Sequence, residues 1–131
     1  MLEQILCIDD DPITLMLCKK VISKSSFSHE IITAQNGEEA LHHFNTLKYT
    51  NNKNKVNKKP ELIFLDLNMP HMNGWQVLDT LISLDTPVVI KVYILSSSVD
   101  FKDKLRAKDY PLVKDYILKP LESELAKNIL R

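Results

Sequence analysis

Along this chain, short apolar runs of strand length alternate five times with amphipathic stretches of helix length. Few folds accept that pattern. A strand buried on both faces reads as a nearly continuous apolar run, and a helix between successive strands lets them pair in parallel, so the alternation predicts an α/β domain with a buried, doubly wound parallel sheet. The runs are residues 4–8, 30–34, 62–67, 88–95 and 115–118. The first helix opens on Asp11-Pro12, an acidic N-cap followed by proline at the first helical position, with Ile13, Leu17 and Val21 as its apolar stripe. Asn36 caps the second helix and Glu39 reaches back as in a capping box, with Ala40, Leu41, Phe44 and Leu47 toward the sheet. A similar signal, Asn73-Gly74-Trp75-Gln76, starts a third helix striped by Val77, Leu78, Leu81 and Ile82. A fourth helix over residues 101–108 has a thin stripe, and Leu121, Leu125 and Ile129 stripe a fifth.

A length of 131 residues suits one domain, 1–131, able to bury a core without staples. The 17 basic and 17 acidic residues balance, so no global field favours nucleic acid or an anionic membrane. No run is long enough to span a bilayer, and residues 1–8 lack the basic start and long apolar stretch of a signal peptide. Cys7 and Cys18 sit inside apolar runs and read as buried free thiols, which together with the missing leader points to a cytoplasmic chain. Residues 49–60, rich in Asn and Lys, read as a long solvated loop. His29, His42, His43 and His71 form no ligand set, Trp75 reads as a rim residue, and with only Gly37 and Gly74 there is no glycine-rich phosphate loop.

Strands of a parallel sheet all point one way, so the polar residues at their carboxyl ends gather on one edge. Strand one delivers Asp9 and Asp10, strand three Asp66, strand four Ser96 and strand five Lys119. An ionisable residue closing so apolar a run as LIFLDL needs a partner. Converging carboxylates repel unless a cation shares the site, and Mg2+ suits them because it takes oxygen ligands and bridges carboxylates to phosphate. The expected ligands are Asp10 and Asp66 directly, Asp9 through water, and the backbone carbonyl of Asn68. Lys119 and the Ser96 hydroxyl would then face the phosphoryl oxygens, with Asp66 as nucleophile.

Ile8-Asp9-Asp10-Asp11-Pro12, Leu65-Asp66-Leu67-Asn68-Met69-Pro70-His71-Met72-Asn73-Gly74, Ile94-Leu95-Ser96-Ser97 and Tyr116-Ile117-Leu118-Lys119-Pro120 closely resemble the receiver domain of bacterial two-component response regulators. The resemblance covers essentially the whole chain, and its D-x-x-M-P-x-M-x-G segment is the most specific part. It implies a flavodoxin-like (βα)5 fold with strand order 2-1-3-4-5. It implies that Asp66 accepts phosphate from a histidine kinase or histidine phosphotransfer protein with Mg2+, that Lys119 contacts the phosphoryl group, and that the bond before Pro120 is cis. It also implies a switch in which Ser96 moves toward the new oxygens and Tyr116 turns inward, altering the surface around helix four, strand five and helix five for a downstream protein target. Asn68 and Ser98 hold positions that tune phosphate lifetime in the family. Serine replaces the commoner threonine at 96, which keeps the hydroxyl.

The chain is therefore expected to be a signalling switch rather than an enzyme in the ordinary sense. Because helix five ends at the last residue, no output domain is expected in this chain. A pseudo-receiver interaction module is the alternative, although its hallmark, loss of the acceptor, the acidic pair or the lysine, is missing. A phosphatase that forms an aspartyl-phosphate would need an acid two residues after Asp66, where Asn68 stands.

Overall fold

The computed structural model describes residues 4–25, 30–49 (side chains to 44), 60–83, 90–97 and 100–130. Strands and helices alternate as β1 (Gln4–Ile8), α1 (Pro12–Ser25), β2 (Glu30–Ala34), α2 (Gly37–Tyr49), β3 (Pro60–Leu65), α3 (Gly74–Ser83), β4 (Lys91–Ser96), α4 (Phe101–Ala107), β5 (Val113–Leu118) and α5 (Ser123–Leu130). The strands form one sheet in the order β2-β1-β3-β4-β5, every pairing parallel. This is the expected flavodoxin-like order.

Alternate residues of the central strands face two separate cores. Leu6, Ile8, Ile63, Leu65, Val92 and Ile94 pack with α2, α3 and Ala107 of α4. Ile5, Cys7, Leu62, Phe64, Leu95 and Ile117 pack with α1 and α5. Complete burial of an Ile or Leu side chain stabilises by about 1.5–3 kcal/mol, so these two layers fix the sheet that carries the polar edge. Cys7 and Cys18 are buried, free thiols, as expected. No helix among the described residues is long and apolar enough to cross a membrane.

The helix starts follow the sequence signals. Asp11 accepts from the Ile13 N–H and the Thr14 hydroxyl, and Asn36 accepts from the Glu39 N–H while Glu39 accepts from Gln35 N–H. Asn73 and Gln76 exchange reciprocal bonds of 2.9 and 3.0 Å. The buried side of α1 differs from expectation: Leu15, Cys18 and Ile22 face the sheet, whereas Ile13 and Leu17 are exposed and Val21 is half-buried. Apolar residues surround this helix, so spacing alone admits both stripes. The short Asp9–Asp11 connection from β1 sets the rotation of α1 and decides between them. Likewise Ile82 of α3 is exposed, and Leu121 is buried just before α5 begins.

Strand limits also shift. β3 starts at Pro60, which pairs with Gln4, and stops at Leu65, the partner of Ile8 at the end of β1. Proline suits a first strand position because no N–H is needed there. Asp66 thus follows the strand instead of lying within it. Ser96 closes β4 opposite Leu118, and β5 begins at Val113, two residues earlier than expected, because Val92 pairs with it. Exposed Lys114 interrupts the apolar run there and hides that start. Tyr49 and Pro60 belong to α2 and β3; the rest of the 49–60 loop, and Ser98, lie outside the described residues.

Candidate functional site

Backbone hydrogen bonds stitch the polar edge to the sheet. The Asp9 N–H donates to the Ala34 carbonyl at 3.0 Å, the Asp66 N–H to Ile8 at 2.9 Å and the Lys119 N–H to Ser96 at 2.8 Å. Asp9, Asp66 and Lys119 are therefore each placed by a neighbouring strand end. Asp9 and Asp66 are 3% and 5% exposed, Ser96 is fully buried, and Asp10 faces solvent.

The side chains converge as expected for Asp9, Asp10, Asp66 and Lys119. One carboxylate oxygen from each aspartate lies within 4.8 Å of the others. Lys119 Nζ is 2.7 Å from Asp9 Oδ2 and 3.5 Å from Asp66 Oδ1. Asp9 Oδ1 also accepts the Asp11 N–H at 2.9 Å. That bond gives Asp11 a second task beyond capping α1, and nothing in the local sequence pattern signals it. Asn68 reaches Asp66 through a backbone hydrogen bond. Ser96 adjoins Lys119 through its carbonyl, and Tyr116 lies half-buried on β5 opposite Ile94. The Lys119–Pro120 peptide is cis.

Electrostatically the cluster lacks positive charge. Burial, then the charge of Asp9, pushes the Asp66 carboxyl from 3.8 to about 6, against the opposing pull of Lys119 and the Asn68 backbone bond. Burial alone would lower the Lys119 value, but its hydrogen bond with Asp9 and the charges of Asp66 and Asp9 outweigh it, and the ammonium is held above its usual range. Three carboxylates, all oxygen donors with one acid exposed and only one ammonium to offset them, fit a hard divalent cation such as Mg2+.

The segment after Asp66 explains its own spacing. Met69 is buried as an anchor, His71 turns the chain at φ 68° while remaining exposed, and the Gly74 N–H closes back onto the Leu67 carbonyl at 2.9 Å. A Cβ at Gly74 would lie 2.7 Å from the Asp66 carbonyl oxygen and 2.8 Å from Leu67 Cα. Glycine is required there because α3 starts against the backbone of Asp66 and Leu67. Trp75, next in sequence, is buried rather than at the rim: it stacks on Tyr110 with centroids 5.6 Å apart, and Arg106 covers its ring at 4.4 Å.

A family-level comparison matches residues 5–131 to the response regulator receiver domain. Among curated proteins, the transcriptional regulatory protein PrrA of Mycobacterium leprae is 33% identical over 98% of this chain and 50% of its own length. The chain spans about half the length, or less, of the curated relatives it matches. A two-component response regulator from Cytophaga hutchinsonii superposes with a TM-score of 0.83 at 30% identity, covering 98% of this chain and 93% of that one. The phosphorylated cyanobacterial phytochrome response regulator RcpA gives 0.79 at 27% identity, covering 98% and 91%.

Proposed function

Because the chain belongs to the response regulator receiver domain family, we propose that residues 1–131 form one phosphorylatable receiver, a cytoplasmic switch in two-component or phosphorelay signalling in which Asp66 accepts a phosphoryl group. The observation that carries this is the buried Asp66 carboxylate, gathered with Asp9 and Asp10 within 4.8 Å and faced by Lys119 at 3.5 Å. The related cyanobacterial regulator was solved phosphorylated, which supports the same chemistry here.

The donor is a phosphohistidine of a sensor kinase or phosphotransfer protein. A carboxylate oxygen of Asp66 bonds to phosphorus as the donor's P–N bond breaks, and the imidazole leaves with that electron pair and takes a proton from water. Asp10, Asp66 and the Asn68 carbonyl would hold Mg2+, with Asp9 acting through water. The ion supplies charge neutralisation on the phosphoryl oxygens. Lys119 offers its ammonium to those oxygens and Ser96 its hydroxyl. Ser96 and Tyr116 then act as the switch pair, and the signal leaves through protein contacts around α4, β5 and α5, where Tyr116, Lys104, Lys108 and Lys114 line a groove of about 190 Å3.

The α1 face offers a landing surface for the donor protein. Ile13 and Met16 are 62% and 61% exposed, immediately beyond Asp10 and Asp11 at the mouth of the site, and Leu17 extends the patch. Apolar groups left in water beside a reactive centre fit a partner that covers them during transfer.

Intact mass measurement after incubation with Mg2+ and acetyl phosphate tests the proposal. Wild type gains one phosphoryl group, and Asp66→Asn gains none. A wild type that gains none would instead make the chain a pseudo-receiver interaction module.

A further inference from the structure

The α4 helix is attached at one end. Of its seven residues only Ala107 is buried, whereas Phe101 and Leu105 are exposed. Beyond Ala107 the chain tightens into consecutive turns, with the Asp109 N–H donating to Arg106 at 3.0 Å, Tyr110 to Ala107 at 3.1 Å and Val113 to Tyr110 at 3.0 Å. At this same end sits a four-residue cluster joining α4 to α3. Arg106 lies 4.4 Å over the Trp75 ring, Trp75 stacks on Tyr110, and the Tyr110 hydroxyl donates to Asp79 Oδ1 at 2.8 Å. Arg106 also bonds to the Tyr110 hydroxyl. A cation–π contact, an aromatic pair and a charge-accepting hydrogen bond together make this end the firmer one.

The opposite end is the one connected to the site. Ser96 closes β4, and Asp100 caps α4 four residues later, its carboxylate accepting the Lys102 N–H at 2.9 Å. We propose that Trp75, Asp79, Arg106 and Tyr110 form a fixed pivot, so that α4 answers a displacement at Ser96 by swinging its Phe101 end while its Ala107 end stays on α3. The swing presupposes the phosphoryl transfer proposed above; the pivot itself does not. A lever held this way carries the exposed Phe101 farthest, moves Leu105 beside the pivot least, and leaves α3, which starts against the Asp66 backbone, in place.

Trp75 is the single tryptophan of the chain and reports on the pivot directly. The 131-residue chain is labelled for nuclear magnetic resonance and treated with Mg2+ and acetyl phosphate, with phosphorylation followed separately by intact mass. The expected result is that amide signals of residues 100–104 shift while the Trp75 indole and the amides of 108–110 keep their positions. Equal shifts at Trp75 and 108–110 would overturn the pivot. In Arg106→Gln/Tyr110→Phe the shifts should spread into 108–110 and the indole; shifts still confined to 100–104 would also overturn it. The unphosphorylated protein supplies an independent arm through backbone order parameters. These should stay near the rigid value of about 0.85 for residues 106–110 and be lower for 101–104, and the double variant should bring the two segments together. Uniform order across 101–110 in wild type sinks the pivot, whereas absence of an added phosphoryl group sinks only the proposed phosphoryl transfer. Tyr110→Phe alone serves if the double variant does not fold.

Discussion

β3 buries five of its six residues and leads into Asp66, whereas β5 buries one of its six and leads into Lys119. Both strands deliver a charged group to the same edge, but they do so from different surroundings. Asp66 stands on the middle of the sheet, where two cores clamp the backbone and Gly74 lets α3 close against it. The lysine stands beside the sheet's outer strand, next to a seven-residue helix with one buried side chain. Catalysis needs a nucleophile whose position costs no reorganisation, while a readout needs an element whose displacement is cheap. Under the function proposed above, these demands fall to the centre and the edge of one sheet.

Core truncations should break the comparison if it is wrong. Ile63→Ala or Leu65→Ala, both fully buried, is expected to cost about 3–4 kcal/mol in denaturant unfolding, against less than about 0.5 kcal/mol for exposed Leu118→Ala. Similar costs would show that β5 is as structural as β3. Gly74→Ala should cost about 2 kcal/mol through overpacking against Asp66 and slow phosphoryl uptake about 100-fold by misplacing the acceptor. Unchanged uptake would mean that the backbone beside Asp66 is softer than its packing implies.

A third prediction concerns charge. The Asp66 carboxyl is raised from 3.8 to about 6, so ionising it opposes folding. In metal-free buffer the penalty is absent below about pH 4 and complete above about pH 6, and Asp66→Asn should therefore gain stability over wild type as pH rises through that window. The gain at pH 7 should be about 1 kcal/mol, because water at the open edge screens part of the shift. Thermal unfolding against pH measures it, and Mg2+ should narrow the difference; a difference independent of pH would remove the electrostatic account. The smallest effect is expected on α1, where Leu17→Ser should leave stability within about 0.5 kcal/mol and acetyl phosphate uptake unchanged, yet slow transfer from a phosphohistidine protein. Equal slowing with both donors would contradict the landing surface.

The sequence by itself determined the α/β alternation, the parallel sheet and the convergence of Asp9, Asp10, Asp66 and Lys119, because strand-end residues need only the sheet's direction to meet. The same holds for the caps at Asp11, Asn36 and Asn73, whose partners lie within four residues. Only the tertiary structure decided which side of α1 is buried, since Ile13–Leu17–Val21 and Leu15–Cys18–Ile22 satisfy the same helical period and the tight turn from β1 sets the rotation. It also decided that Trp75 is covered, because Arg106 and Tyr110 arrive from more than thirty positions away, and no local period announces a contact between elements brought together by the sheet. Asp66 was visible in the chain as one acid closing an apolar run; its raised pKa and its fixed backbone come from neighbours that folding supplies.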